Sequence, residues 1–282
     1  MWKRRRRRPR AAGPISISDL PERHIPAYLV CLEDWSPEMD EAGDHKARWF
    51  EKMRDQGLRV KVALDDEDRV LGMIQYVPIE LSPAHGEDLY MILCIWVHGD
   101  DRGVGDAQGH GIGTALLAAA EADASDLGAK GLVAWGLHLP VWMKASWFKK
   151  HGYRGVDRIG MRELVWKPFS DDAHEPRWVP EQAVPEGEPG RVTVTAFQSG
   201  WCPAANLVYE RARRAAAELG TEVHFTTVDT SDRDNLLAYG HSDQVFVDGR
   251  PLQRGAPPSF KAIRRKIRRR VRRRQRLTKS VS

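Results

Sequence analysis

The chain has 282 residues, of which 41% are hydrophobic and 29% are charged, and this composition is typical of a soluble globular protein with room for two modest domains. No apolar run is long enough to cross a bilayer, and no apolar segment follows the basic N-terminus, so neither a membrane span nor a secretory signal is expected. Three scattered cysteines argue against a disulfide framework and against a zinc site, and favour a reducing cytoplasm.

The net charge of +5 combines an acidic body with two basic ends. Residues 1–10 and 261–282 hold 19 of the 44 lysines and arginines and none of the 39 acidic residues, which leaves 25 basic residues against 39 acidic ones between them. An acidic body attracts cationic substrates such as amines, whereas basic ends attract nucleic acid or another anionic surface. A disordered basic tail is predicted at 1–13 and a second basic tail at 272–282, and a merely solvated role for both stays open.

The first elements along the chain alternate between helical and strand patterns. They are a strand at 15–18, helices at 21–33 and 44–56, and strands at 59–64, 70–79 and 89–97. The strand at 89–97 is nearly all apolar, which predicts that both of its faces are covered. The later elements are a helix at 112–127, a strand at 131–139, a helix at 140–151 and strands at 153–158 and 161–167.

A glycine-rich stretch joins strand 89–97 to helix 112–127. It reads Gln108-Gly109-His110-Gly111-Ile112-Gly113-Thr114. Glycines let a ligand approach the backbone, and a helix N-terminus offers free N–H groups with a partial positive charge. Phosphate or pyrophosphate suits such a site, but an ordinary strand–helix turn would also explain it. No Lys-Ser/Thr pair follows the glycines, and their single-residue gaps differ from a dinucleotide fingerprint.

The spacing of Gln108, Gly111 and Gly113 resembles the Gln/Arg-x-x-Gly-x-Gly/Ala loop with which GNAT acetyltransferases bind the pyrophosphate of acetyl-CoA. Residues 145–153 resemble the Ala-x-x-Tyr-x-x-x-Gly-Phe segment of that family. The order of elements across 14–170 is also similar to the GNAT fold, an α/β fold in which helices flank a mixed central sheet. The resemblance implies an N-acetyltransferase that moves an acetyl group from acetyl-CoA to an amine of a small molecule or peptide by direct attack.

Cofactor-binding positions follow from the same resemblance. Backbone groups of the loop would hold the pyrophosphate, and those of the splayed strand would hold the reacting carbonyl oxygen. The loop positions are Gln108, Gly109, His110, Gly111, Ile112, Gly113 and Thr114, and the strand positions are Ile95, Trp96 and Val97. No metal is expected at this site.

Catalytic positions are weaker predictions, because the chain departs from the family pattern. Phe148 stands where the family usually has a tyrosine general acid, Trp142 where it often has an asparagine, and the loop after Val97 is longer than usual. His98 and His138 are candidate bases, although each is equally explained as an ordinary loop or strand-end histidine.

The proton for the CoA thiolate would come from Ser146 or water, or the thiolate would leave unassisted. The alternative function is a catalytically weakened GNAT-scaffold binding protein, tethered to nucleic acid by its arginine-rich ends.

A proline-rich linker is predicted at 171–190, followed by a smaller α/β domain at 191–271. This domain resembles a thioredoxin-like fold, and the layout is similar to a bacterial GNAT subgroup with a YoaP-type C-terminal domain. Cys202 stands at the catalytic position after the first strand, where a helix N-terminus would lower its pKa. The second cysteine of the Cys-x-x-Cys motif of that fold is replaced by Ala205. The cis-proline expected just before the strand at 244–247 is also missing, because 241–243 read His-Ser-Asp. Recognition of a substrate or partner is therefore favoured over dithiol chemistry, with a monothiol role as the alternative.

The closing helix, from 259 onward, is amphipathic in an unusual way. Phe260, Ile263, Ile267 and Val271 form one apolar stripe, and the rest is almost entirely arginine. The sequence predicts either a solvated surface or electrostatic binding to a polyanion without sequence readout.

Overall fold

The computed structural model describes residues 13–138, 142–184, 187–253 and 255–279. The predicted N-terminal tail therefore lies outside the described residues except for Gly13. The chain divides into two compact units, one formed by residues up to 35 with 54–178, and the other by 36–53 with 179–282. Each unit is described separately below.

The elements up to residue 178 follow the expected alternation. In chain order they are β1 (Ser16–Asp19), α1 (Ile25–Leu29), α2 (Pro37–Glu41), α3 (His45–Arg54), β2 (Arg59–Leu64), β3 (Val70–Pro78), β4 (Ala84–His85), β5 (Leu89–Val97), α4 (Ile112–Asp126), β6 (Gly131–Leu137), α5 (Ala145–Lys150), β7 (Arg154–Ile159), β8 (Arg162–Pro168) and β9 (Arg177–Trp178). Residues 140 and 141 of the helix predicted at 140–151 lie outside the described residues, and α5 begins at Ala145, because Met143 has a positive φ of 53° and Lys144 is extended.

The first unit is built on a seven-stranded mixed sheet in the order β1-β2-β3-β5-β6-β8-β7. This confirms the predicted mixed sheet flanked by helices. Strands β5 and β6 run parallel, and their paired register extends from Leu89 opposite Gly131 to Ile92 opposite Ala134. Beyond Ile92, β5 stays paired with β3 as far as Val97, with a register shift at Gln75/Tyr76. A wedge therefore opens between β5 and β6 at the carboxyl end of β5.

The helices α4 and α5 cover one face of this sheet. Ile112 and Leu116 of α4 and Phe148 of α5 are buried with Ile92 and Val165 in one apolar cluster. Burial of each large apolar side chain contributes about 1.5–3 kcal/mol. The packing places the N-terminus of α4 at the mouth of the wedge.

A charged cluster fastens α4 to the sheet. Asp123 accepts two hydrogen bonds from Arg59, at 2.6 and 2.8 Å, and one each from Lys61 and Tyr76, at 2.7 and 2.6 Å. Burial by itself would raise the pKa of the Asp123 carboxyl, but these hydrogen bonds outweigh it and hold that pKa well below its ordinary value. The stabilisation is therefore present at neutral pH and is lost progressively in acid.

The second unit contains a four-stranded sheet in the order β11-β10-β12-β13. Its elements after residue 178 are β10 (Val192–Gln198), α6 (Pro203–Leu219), β11 (Val223–Asp229), α7 (Arg233–Tyr239), β12 (Gln244–Val247), β13 (Arg250–Pro251) and α8 (Phe260–Lys279). Strand β10 pairs in parallel with β11 and antiparallel with β12. Helix α8 continues through Lys279, so the described part of the predicted tail at 272–282 is helical.

Helices α2 and α3 also belong to this second unit. The Arg211 side chain of α6 donates to Glu38 at 2.9 Å and to Glu41 at 2.9 and 2.5 Å. His45 Nε2 forms a hydrogen bond with Glu210 Oε1 at 2.8 Å, and Gly200 packs against the backbone of the same α3 turn. The domain predicted at 14–170 includes the helix at 44–56, and in the structure residues 36–53 pack with residues 179–282.

A search of the described helices finds none long and apolar enough to span a membrane.

Candidate active site

A cleft of ≈ 620 Å³ lies in the first unit, where β5 ends and α4 begins. It is lined by Ile95, Trp96, Val97, Ala107, Gln108, Gly109, Gly111, Ile112, Gly113, Thr114, Trp142, Met143, Lys144, Trp147 and Phe148. The cleft thus brings together all the cofactor-binding positions predicted from the sequence except His110, which is half-buried in the same loop. Helix α5 and the segment before it form the opposite wall.

The N-terminus of α4 opens into this cleft without a capping side chain. Gly111 is its N-cap residue, with φ 79° and ψ 0°, and no side chain of the described residues accepts a capping hydrogen bond there. The first helical hydrogen bond runs from the Ala115 N–H to the Gly111 carbonyl at 3.0 Å. The N–H groups of Ile112, Gly113 and Thr114 therefore lack helical acceptors, and the first turn carries no acidic residue. These groups form an anion cradle at the positive end of the helix dipole.

The loop glycines differ in what they require. Gly109 and Gly111 have φ values of 85° and 79°, a left-handed conformation that other residues rarely adopt. A Cβ added to either would meet no described protein atom within 4 Å, so each faces open space. At Gly113 an added Cβ would make ordinary contacts with Trp147, at 3.5 Å, and Val97, at 3.8 Å, so alanine would fit there.

Gln108 holds the loop in place through its side chain. Its Nε2 donates to the Val97 carbonyl at 3.0 Å, and its backbone N–H donates to Asp106 at 3.0 Å. A Cβ at Gly99 would overlap the Gln108 amide, so Gly99 leaves room for this contact. Gln108 therefore fixes the cradle to the end of β5.

Alternate backbone groups of β5 face the wedge. The His98 N–H donates to the Leu71 carbonyl of β3 at 2.9 Å. Backbone groups of successive residues point to opposite edges of a strand, so those of Trp96 point toward β3 and those of Ile95 and Val97 point toward the wedge. Trp142 Nε1 donates to the Ile95 carbonyl at 3.2 Å. The N–H groups of Ile95 and Val97 point the same way as their carbonyls and are the donors available to a ligand carbonyl in the wedge.

Two indoles occupy the space between the diverging strands. Trp135 Nε1 donates to the Leu93 carbonyl at 2.9 Å. Leu93 precedes Ile95, whose carbonyl accepts from Trp142, by two residues on the same edge of β5. The two rings pack edge to face, with centroids 5.3 Å apart. They form the inner wall of the wedge.

His98 is buried and fully engaged. Its Nδ1 lies 2.8 Å from the Gly105 carbonyl and donates to it, and its Nε2 accepts from Trp35 Nε1 at 3.2 Å. The Arg102 guanidinium stacks on the Trp35 ring, 3.6 Å from its centroid. Since both ring nitrogens are used and the residue is only 1% exposed, His98 fixes the long loop and offers no site for a substrate proton.

The other two catalytic candidates lie away from the lining of the cleft. His138 pairs with Glu163 at 2.9 Å, and Lys149 pairs with the same carboxylate at 2.7 Å. Ser146 is exposed on α5. Phe148 does line the cleft, but it is fully buried and has no proton to donate. The structure therefore brings no predicted acid or base into the cleft.

Sequence reasoning missed one charged residue of the cleft. Lys144 is the N-cap residue of α5, is exposed, and lines the cleft. A helix that begins at 140 would place Lys144 within its second turn, whereas in the structure Lys144 precedes the helix. Thr114 and His151 also approach within 3.0 Å and link α4 to the end of α5.

A mixed sheet that opens into a wedge, with an uncapped helix N-terminus at its mouth, is the arrangement expected of an acyltransferase that uses a CoA thioester. Residues 19–153 match the model of the Acetyltransferase (GNAT) family. This segment is slightly less than half of the chain and is similar to the acyltransferases of that family.

Solved structures similar to the chain carry related names. One is the PaiA N-acetyltransferase of Thermoplasma acidophilum in complex with coenzyme A, with 15% identity, a TM-score of 0.42, and coverage of 55% of this chain and 99% of that one. Another is the GNAT N-acetyltransferase YhbS of Escherichia coli in complex with CoA, with 15% identity, a TM-score of 0.42, and coverage of 61% and 93%. A third, IAA acetyltransferase of Bacillus cereus, has 20% identity, a TM-score of 0.37, and coverage of 54% and 97%. Comparison with curated proteins gave no match.

Proposed function

We propose that the protein transfers an acetyl group from acetyl-CoA to an amine of a small molecule or peptide. The observation that carries this proposal is the uncapped N-terminus of α4, which opens into the cleft at the mouth of the β5–β6 wedge. A pyrophosphate needs several N–H donors and positive charge, and a thioester arm needs a narrow apolar channel that leads away from them. Here the uncapped N–H groups and apolar side chains such as Ile95 and Trp142 line the same cleft.

Each part of the cleft has a role in this proposal. The N–H groups of 109–114 bind the pyrophosphate, and Lys144 adds a positive charge to the same cleft. The pantetheine arm lies along the open edge of β5. The N–H groups of Ile95 and Val97 are directed at the wedge, where they can donate to the thioester oxygen as it gains negative charge.

Proton transfer in this proposal depends on water. His98 is fully engaged, and His138 and Ser146 lie outside the cleft lining. The attacking amine must therefore lose its proton to solvent, and the CoA thiolate must leave without a side-chain acid at Phe148. Positioning and backbone hydrogen bonds then supply most of the catalysis.

A screen of acceptor amines tests the proposal. The full-length protein is incubated with acetyl-CoA and with small amines, amino acids, aminoglycosides and basic peptides, and released CoA thiol is measured. We expect turnover with at least one class of amine, faster as pH rises and deprotonates that amine. Acetyl-CoA binding in calorimetry without turnover on any amine would favour the alternative, a GNAT-scaffold binding protein. Absence of CoA binding would refute both.

Trp142 should limit the length of the acyl group. Replacing it with alanine removes the indole between the diverging strands and should let a butyryl chain enter the wedge. Two extra methylenes gain about 1.6 kcal/mol when buried, so the ratio of butyryl-CoA to acetyl-CoA turnover should rise about tenfold. Trp147→Ala is the control, because Trp147 lines the same cleft beside Gly113 rather than beside Ile95. An equal rise in both variants would contradict a specific role for Trp142.

We infer that the sheet of the second unit is thioredoxin-like. The order β11-β10-β12-β13, the parallel β10–β11 pair and the antiparallel β10–β12 pair support this inference. Cys202 is the N-cap residue of α6, and Asp243, before β12, accepts from the Ser199 N–H and hydroxyl at 3.0 and 2.7 Å. With Ala205 in place of a second cysteine, an accessory role in recognising a substrate or partner is favoured. A cytoplasmic location is proposed on the three scattered cysteines.

A further inference from the structure

The described apolar residues of helix α8 pack against the core of the second unit. Ile263, Ile267 and Val271 are 1%, 0% and 4% exposed and pack in one cluster with the inner residues of α6 and the sheet. The arginines next to this stripe are partnered, since Arg264 pairs with Glu218 at 2.5 Å, and Arg270 and Arg274 both pair with Asp248 at 3.1 Å. These contacts fix the helix and decide which of its faces points outward.

The outward face carries six further arginines. They are Arg265, Arg268, Arg269, Arg272, Arg273 and Arg276, all exposed. Within the described part of the chain, none of the six has an ion pair or a hydrogen bond to a side chain, and α8 contains no acidic residue. From Arg265 to Arg276 the face is about 17 Å long at 1.5 Å per residue.

This face opposes the formation of its own helix. Arginines four residues apart, such as 265 and 269 or 268 and 272, are neighbours on the surface, and each like-charged pair costs a few tenths of a kcal/mol. No carboxylate of α8 relieves the repulsion. A ligand with closely and regularly spaced negative charges would relieve it along the whole face.

A nucleic-acid duplex has the matching charge density. One strand presents a phosphate about every 3.4 Å along the axis, so a 17 Å face passes about five phosphates. Guanidinium groups donate two parallel hydrogen bonds to a phosphate, which ammonium groups do not. An anionic membrane fits less well, because a helix that binds a bilayer interface inserts a free apolar face, and that of α8 is buried in the core.

We propose that the outward arginine face of α8 binds the phosphate backbone of a nucleic-acid duplex without reading its base sequence. The α8 backbone supplies a rigid row of guanidinium groups, and Asp248 keeps two other arginines turned toward the protein. This binding is independent of the acyltransferase site in the first unit.

Fluorescence anisotropy of the full-length protein with a labelled 20-base-pair DNA duplex, measured over a range of salt concentrations, tests the proposal. The variant Arg268→Gln/Arg269→Gln/Arg272→Gln/Arg273→Gln should bind at least about 100-fold more weakly. Its slope of log affinity against log salt should be shallower by about 3–4, since each phosphate contact contributes about 0.9. The change in slope separates this face from the basic residues at 1–10. The same four positions changed to lysine should keep nearly the full slope, because they keep the charge.

Three results would overturn the proposal. The first is an unchanged slope in the glutamine variant. The second is equally tight binding to polyglutamate, which would indicate an acidic protein partner, and the third is equally tight binding to vesicles of anionic lipid. Circular dichroism and the affinity for CoA, both expected to be unchanged in the glutamine variant, verify that the fold is intact.

Discussion

Gly111→Glu should weaken the binding of CoA by at least about 100-fold, whereas Gly128→Glu at the other end of the same helix should leave it nearly unchanged. A carboxylate on residue 111 enters the space in front of the uncapped N–H groups, where nothing of the described protein lies within 4 Å of the added Cβ. It would occupy the anion cradle and repel the incoming pyrophosphate. Two unit charges 4 Å apart near a protein surface interact by about 4 kcal/mol, and 1.4 kcal/mol changes affinity tenfold.

Gly128 is a close match for the strain that the substitution introduces. Its φ is 83° against 79° for Gly111, and an added Cβ meets no described atom at either position. Both variants therefore place glutamate in a left-handed conformation beside a terminus of α4. The helix dipole favours the new carboxylate only at residue 111, so any loss of affinity there does not come from a weaker helix. Isothermal titration calorimetry with CoA measures the difference, and similar affinities for the two variants would refute the cradle.

The sequence predicted the cradle because local chemistry determines it. The spacing of Gly109, Gly111 and Gly113 between an apolar strand and a helical pattern sufficed to place backbone N–H groups at a helix start. The parallel direction of β5 and β6 agrees with the predicted mixed sheet, since a helix connects the two strands and such a crossover suits a parallel pair. These features depend on residues that are close in sequence.

Features that depend on distant partners were not predictable. His98 stood next to a strand end and was a reasonable base, but its engagement depends on Trp35 and on a turn of the long loop that brings Gly105 to its Nδ1. Lys144 joined the cleft only because Met143 has a positive φ and delays the start of α5. A single sequence does not contain the pairing of side chains so far apart, and no local pattern substitutes for it.

The packing of α2 and α3 on the second unit also depends on partners that are distant in sequence. The helix predicted at 44–56 corresponds to α3, whose Trp49, Phe50 and Met53 are buried, but a helical pattern does not show which surface the apolar face covers. The partners that fix α2 and α3 are on α6, about 170 residues later. Residues 36–53 thus belong both to the segment that matches the GNAT family and to the compact unit formed with 179–282.

Arg211→Ala should release α2 and α3 from α6. The Arg211 side chain is 8% exposed and pairs with Glu38 and Glu41, whose side chains are 55% and 25% exposed. Breaking a buried ion pair costs about 3–5 kcal/mol, and the partial exposure of both carboxylates lowers the expected cost to about 2–3 kcal/mol. Amide hydrogen exchange in 37–54 should then become about 100-fold faster, because local opening follows the same free energy.

Arg213→Ala provides the matched control on the same helix. Arg213 is 52% exposed and pairs with Glu210 of its own helix, so its loss should cost less than about 0.5 kcal/mol and leave exchange in 37–54 almost unchanged. Equal acceleration in the two variants would contradict the role assigned to Arg211.

The ion pair between Arg211 and Glu41 predicts that the stability of α2 depends on pH. The hydrogen bond from Arg211 holds the pKa of the Glu41 carboxyl below its ordinary value, even though partial burial opposes this. Stabilisation of α2 by the ion pair is therefore complete above the ordinary glutamate pKa of about 4.3 and is lost as pH falls below it. In the parent protein the protection of 37–54 should decline in that acidic range. In Arg211→Ala, where Glu41 has lost its main partner, the decline should be much smaller, and an unchanged pH dependence would show that other groups control the docking of these helices.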